Sequence, residues 1–288
     1  MRSVKSILSV CAQNFRKWQT DYRVWIIFLL MTIMTFSYSD DMSKLSVTLG
    51  TPVPFWTFPF LYSQFYTKLV FTVPIVFLFC NAPFTDKNQI FTIVRAGRIK
   101  WLCGQILYIV LASAVYYLFL FLVSILPAVF SGGITLEWGK TLTTLAAYPS
   151  VTLKSGTIFL EADFNVITYF QPLQAVWFTF LMSWISAVIL GLIIFLCNIT
   201  TGAKSLGIIV STALIAETYV IKNSIGNNFR SLIYFSPVSW NTLDNIDVGG
   251  LTKNPTFTYC ITVYALLVLV LTASILIFGR KKNLDIKE

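Results

Sequence analysis

The 288-residue chain contains no histidine and few charges: 11% of its residues are Asp, Glu, Lys or Arg, against about 25% in ordinary soluble domains. Without histidine there is no imidazole base for a Ser–His or Cys–His nucleophile and no HExxH zinc site. Five cysteines (Cys11, Cys80, Cys103, Cys197, Cys260) are scattered without CxxC spacing, which argues against a zinc site or a disulfide framework. Paired catalytic carboxylates are absent, and no acidic relay runs through the apolar segments to support proton-coupled transport. The expectation is a protein that is no enzyme and that binds no cofactor or metal of its own.

What the chain has in abundance is apolar length. Hydrophobic residues make up 56% of it. From Trp101 to Phe130 no charge interrupts the run; as a helix it would be about 45 Å long, more than the ~30 Å of bilayer hydrocarbon. An all-α integral membrane protein is expected, with six transmembrane helices: about Val24–Tyr38 (short, and extendable at either end), Pro59–Cys80, Trp101–Phe130, Pro172–Cys197, Leu206–Ile221 and Phe257–Phe278. Eight residues, Asn198 to Ser205, would join the fourth and fifth into an antiparallel hairpin.

Lys and Arg set the orientation. One side collects Arg2, Lys5, Arg16, Lys17, Arg23, Lys87, Arg95, Arg98, Lys100, Lys204, Arg280, Lys281, Lys282 and Lys287. The other has Lys44, Lys140, Lys154, Lys222, Arg230 and Lys253, spread over longer loops. Both termini are therefore expected in the cytoplasm. The net charge of +9 belongs to this asymmetry rather than to nucleic-acid binding. Trp25 and Trp101 at inner helix ends, and Trp56, Trp138 and Trp240 near outer ones, read as interface anchors.

The resulting organisation is an amphipathic amino-terminal helix (1–23), a six-helix transmembrane domain (24–279) and a basic tail (280–288). The domain includes a cytoplasmic segment (82–100) and outer loops at 131–171 and 222–256. Leu232–Phe235 is too short to span and reads as a re-entrant or interfacial piece. Gly133 to Thr141 has five residues between its glycines where a phosphate loop needs four, and the topology puts it outside. The Asn198-Ile199-Thr200 sequon falls on the inner side, where it would not be glycosylated.

Two cytoplasmic elements stand out. Val4, Ile7, Leu8, Cys11, Phe15 and Trp18 form one stripe of a helix whose other positions are polar or basic, suited to the headgroup plane. Between Pro83 and Gly97 a second amphipathic helix is expected, capped by Thr85 or Asp86, with Ile90, Ile93 and Val94 on one face and Phe91 beside them. A plain turn needs no such apolar face, which points to a docked protein partner. Within the spans the polar residues are the pathway candidates: Gln64, Lys68 and Thr72 at i, i+4, i+8, with Ser211 and Glu217 in the fifth span. Lys68 and Glu217 could pair across a lumen or snorkel to the outer interface.

With these elements in place the chain resembles the membrane-spanning subunit of ABC-2-type ATP-binding cassette exporters. The resemblance rests on the basic amino-terminal helix, the six-span layout and the stretch PFTDKNQIFTIVRAGRIKWLCGQI from Pro83 to Ile106. SPVSW (Ser236 to Trp240) before the last span and the GRKKNLDI tail from Gly279 to Ile286 add to it. It implies that the amino-terminal helix is a connecting helix and that Asp86, Lys87, Ile90, Phe91, Ile93, Val94, Arg95 and Arg98 belong to a coupling element seated in a separate ATPase subunit. It also implies re-entrant helices after the fifth span, ATP-Mg held by the partner, and a second permease subunit, like or unlike. The cargo would be an amphipathic peptide, a lipid-like molecule or a hydrophobic drug, and the location a cell membrane, bacterial plasma membrane by analogy. The competing reading is a self-contained secondary transporter or channel, which gives the docking helix no purpose.

Overall fold

A computed structural model describes residues 2–84, 89–152, 156, 160–223, 230–247, 250 and 252–281. Among these no β-strand forms, only an isolated bridge between Asp247 and Thr256. In chain order the helices are α1 (Arg2–Arg16), α2 (Tyr22–Leu49), α3 (Phe65–Phe79), α4 (Gln89–Ala96) and α5 (Arg98–Phe130). Two short helices follow, α6 (Gly139–Ala147) and α7 (Phe164–Tyr169), then α8 (Pro172–Thr201), α9 (Lys204–Asn223) and α10 (Phe257–Lys281). Five of them, α2, α5, α8, α9 and α10, are long and apolar enough to cross a membrane. The protein is an all-helical, multi-pass membrane protein.

Three expected boundaries move. α2 does not stop at Tyr38 but continues to Leu49, about 42 Å in all. Its polar last turns hold together through Lys44, which pairs with Asp40 at 2.8 Å and Asp41 at 3.2 Å, and it ends on Gly50 with φ 63°. Asp21 caps its start, accepting from the Arg23 backbone N–H at 3.1 Å. The expected second span does not begin at Pro59. Phe58–Tyr62 forms a buried 3-10 turn, and α3 starts only at Phe65; at 15 residues, about 22 Å, it is shorter than the hydrocarbon core. The link between α8 and α9 is just Gly202 and Ala203, because α8 winds on to Thr201; Gly202 sits at φ 75°, a left-handed geometry that glycine adopts without penalty.

α8 is the central post. In its most apolar window 61% of residues are buried, against 11% for α10, which presents most of its surface to lipid. Around α8 pack α3, α5, α9 and α10, while α1 and α2 lie against α5. The end of the bundle away from α1 and α4 is closed by 3-10 turns at Arg230–Tyr234, Ser239–Asn241 and Leu243–Asn245, the last two with Trp240, Asn241 and Leu243 buried. The short piece at Leu232–Phe235 is thus part of a non-spanning cap.

Candidate functional site

At the end of the bundle that carries α1 and α4, the sequence candidates divide. Asp86 and Lys87 lie outside the described residues, as does the side chain of Ile90. In α4, Ile93 packs inward, while Phe91 and Val94 are 75% and 79% exposed, with Arg95 exposed beside them. The expected apolar face is therefore split: Ile93 holds the helix down and Phe91 and Val94 point away. Gly97 alone separates α4 from α5. Arg98 opens α5 with its Nε and Nη2 buried and without a hydrogen-bond partner among the described residues.

α1 is not simply laid on lipid. It runs along α5 through Val10, Cys11 and Asn14, all buried, and Gly104 admits it: a Cβ there would stand 2.7 Å from the Val10 Cβ. Buried Asn14 donates from Nδ2 to Gln105 Oε1 at 2.7 Å, and Trp18 Nε1 donates to Tyr108 Oη at 2.6 Å. Phe15 meets the Tyr108 ring edge-on at 5.1 Å. Of the expected stripe, Cys11 is buried, and its thiol pKa is raised by that burial. Ile7, Phe15 and Trp18 are half-buried, and Val4 and Leu8 stay exposed on the lipid-ready flank. The turn after α3 is tied to both neighbours: Lys17 Nζ donates to the Phe84 carbonyl at 2.7 Å, and Asn198 Nδ2 to those of Ala82 at 2.6 Å and Cys80 at 3.2 Å. Asn198, dismissed as a sequon, is a structural clamp.

The second cluster of candidates sits under the cap formed by the 3-10 turns. Lys68 is 4% exposed; its ammonium donates to Thr242 Oγ1 at 2.7 Å and to the Ser239 carbonyl at 3.2 Å. Glu217 is half-buried and takes a hydrogen bond from Ser236, whose hydroxyl in turn accepts from Ser239 at 2.8 Å. Lys68 and Glu217 thus do not face each other as a pair. Both reach the cap, because its buried backbone and hydroxyls offer them closer partners than each other. Thr72 and Ser211 are buried with hydroxyls that meet no partner among the described residues, and Gln64 is the half-buried residue that precedes α3.

The cap is fixed from the other side as well. Tyr264 of α10 donates to the Pro237 carbonyl at 2.7 Å and lies 2.7 Å from the Ser186 hydroxyl, while Trp240 Nε1 donates to Ile233 O at 2.6 Å. Burial pushes the Asp244 carboxyl up to about 6, with Lys68 pulling it back down. Lys222, at the end of α9, pairs with Glu161. Sequence reasoning flagged Lys68 and Glu217 but missed Thr242, Ser239 and Asp244; SPVSW was noted only as a motif. No protein-family model, curated protein or solved structure matches the chain.

Proposed function

We propose that this protein is the membrane-spanning subunit of an ABC-2-type exporter, moving an amphipathic or hydrophobic cargo with ATP hydrolysed by a separate ATPase subunit. In this reading α3, lengthened by its preceding 3-10 turn, is the sixth crossing, both termini are cytoplasmic and the membrane is a cell membrane. A second permease subunit completes the pathway. The observation that carries the reading is the pair Phe91 and Val94, held outward on a short helix that Ile93 anchors and that runs into α5 through one residue. A solvent-facing aromatic and valine on a rigid mount are unfavourable unless something covers them.

The mechanics follow from the packing. Closure of two ATPase subunits on ATP shifts the clefts that hold α4. Because α4 leads directly into α5, and α5 packs on α1, α2 and α8, the shift becomes a change in helix arrangement between two packed states. Covering Phe91 and Val94 contributes up to about 1.5–3 kcal/mol each, whereas an ion pair at exposed Arg95 contributes at most about 1 kcal/mol. Apolar contact therefore dominates the docking. Co-purification from the native membrane with a nucleotide-binding ATPase tests this: Phe91→Asp should abolish association and Lys100→Ala should leave it nearly unchanged. Transport by the chain alone under an ion gradient, or the reverse order of the two variants, refutes the assignment.

A further inference from the structure

We propose that the surfaces of α3, α5 and α8 under the cap form a binding site for an uncharged solute carrying carbonyl and hydroxyl groups, and that the cap fills this site until the solute displaces it. Two observations carry the inference: what the cap presents to the helices, and which polar groups it leaves without a partner.

The cap is held as a ligand would be, through neutral oxygens. Its Pro237 carbonyl lies 2.7 Å from the Tyr264 hydroxyl and 3.0 Å from that of Ser186. Its Thr242 hydroxyl and Ser239 carbonyl accept from the Lys68 ammonium at 2.7 and 3.2 Å, and Thr242 reaches the Tyr62 carbonyl at 3.3 Å. Donors of this kind accept any carbonyl or hydroxyl at like spacing. Lys68 and Glu217, which takes a hydrogen bond from Ser236 of the cap, flank the place with opposite charges, so it favours neither sign.

Around these contacts the hydroxyls of Tyr62, Thr72, Tyr117, Thr179 and Ser183, and Asn241 Nδ2 of the cap, meet no partner among the described residues. Each of these residues is at most 1% exposed. Their places converge. Thr72 is one turn from Lys68 on the same face of α3, and Thr179 and Ser183 share a face of α8 with Ser186. Tyr62 meets the cap at Thr242, and the Tyr117 ring centroid lies 6.2 Å from that of Tyr62. Other hydroxyls in the spans turn back onto their own helix, as Thr35 does to Met31 O at 2.8 Å and Ser113 to Ile109 O at 2.6 Å. Thr72, Thr179 and Ser183 forgo that bond. Buried hydroxyls without partners are costly and rare in a finished core. The cap thus completes the packing here but not the hydrogen bonding, and a solute with more polar groups would complete both. The inference concerns binding alone and stands apart from the exporter reading.

Hydrogen exchange and thermal unfolding of the full chain in mild detergent, with no ATPase present, test it. The probe is trialanine blocked at both ends, and unblocked trialanine is the charged control. The blocked peptide should raise exchange at 236–245 saturably as it displaces the cap, and the unblocked one should not. Thr72→Val and Tyr117→Phe should unfold no earlier than wild type, because neither hydroxyl has a protein partner to lose. Each should nonetheless need about three- to tenfold more probe for the same rise in exchange. Earlier unfolding of both variants would make the hydroxyls part of the fold and overturns the proposal. Unchanged or slowed exchange with the blocked peptide, an equal response to the unblocked one, or a wild-type response in both variants overturns it too. Should one variant fail to fold, the other decides.

Discussion

Replacing Thr242 with valine should harm this protein more than replacing Lys68 with methionine, although the lysine carries the charge. The Lys68 ammonium is buried among α3 and the cap, with Thr242 Oγ1 at 2.7 Å as its closer acceptor and Ser239 O at 3.2 Å. A buried cation has lost hydration worth several kcal/mol, and removing the acceptor of a hydrogen bond to such a charge typically costs about 1.5–3 kcal/mol. Thr242→Val does that: it strands the ammonium on a single carbonyl. Lys68→Met forfeits two charge-assisted bonds of about 1.5–3 kcal/mol each but removes the buried charge along with them. The acceptors it leaves are not orphaned, since Ser239 O still receives Asn245 Nδ2 at 2.9 Å and the Thr242 hydroxyl still reaches Tyr62 O at 3.3 Å. Asp244, freed from Lys68, takes up a proton more readily instead of remaining charged. The net change for Lys68→Met is therefore within about 1 kcal/mol of zero. Thermal unfolding in detergent should rank Thr242→Val lowest, with Lys68→Met near wild type and the double variant recovering most of the loss. Hydrogen exchange should nonetheless rise at 236–245 in Lys68→Met, where the cap loses its tie to α3. A lower midpoint for Lys68→Met than for Thr242→Val, or no recovery in the double variant, refutes the reasoning.

Two more outcomes follow from the packing and the charges. The Asp244 carboxyl is raised from 3.8 to about 6 in the folded protein, so it favours folding below its unfolded value and that contribution is lost as pH rises through about 6. Stability should thus fall between pH ~4 and ~6, and Asp244→Asn should flatten that part of the profile measured by thermal unfolding. At Gly104 an added methyl would meet Val10 Cβ and Cγ1 at 2.7 Å and the Ile7 carbonyl at 3.1 Å, so Gly104→Ala should cost about 1–3 kcal/mol. Protease cleavage ahead of α2 should rise in step as α1 lifts from α5.

The parts of the fold that sequence reveals are those made by one long apolar segment. α5 and α10 lie close to their expected bounds because hydropathy is what forms them. The misplaced boundaries share a cause: local chemistry that hydropathy does not weigh. α2 outlasts Tyr38 because Lys44 pairs with two aspartates, and α3 starts late because the aromatic residues around Pro59 are as apolar in a 3-10 turn as in an α-helix. On α1 the apolar stripe located the helix but not its buried face, since Asn14 goes inward to meet Gln105, 91 residues away in sequence. Likewise Lys68 and Glu217 were recognisable as costly polar residues, but their partners lie in the cap, those of Lys68 at sequence separations of 171 and 174. A single chain of letters records which side chains need a partner, while the tertiary fold decides who supplies it.

The length of α5 has a consequence of its own. Its 33 residues form an unbroken rod of about 50 Å, and its far end is bonded to the strip ahead of α3: Thr57 donates to Ser124 O at 3.3 Å, and Trp56 donates to Thr135 O, just past the helix, at 2.8 Å. If the rod rocks by about 5° around its midpoint, each tip swings by roughly 2 Å in opposite directions. A see-saw of this kind carries a push on Gly97 to the threshold of Tyr62 and Lys68 in one stroke, with no chain of rotamer changes in between.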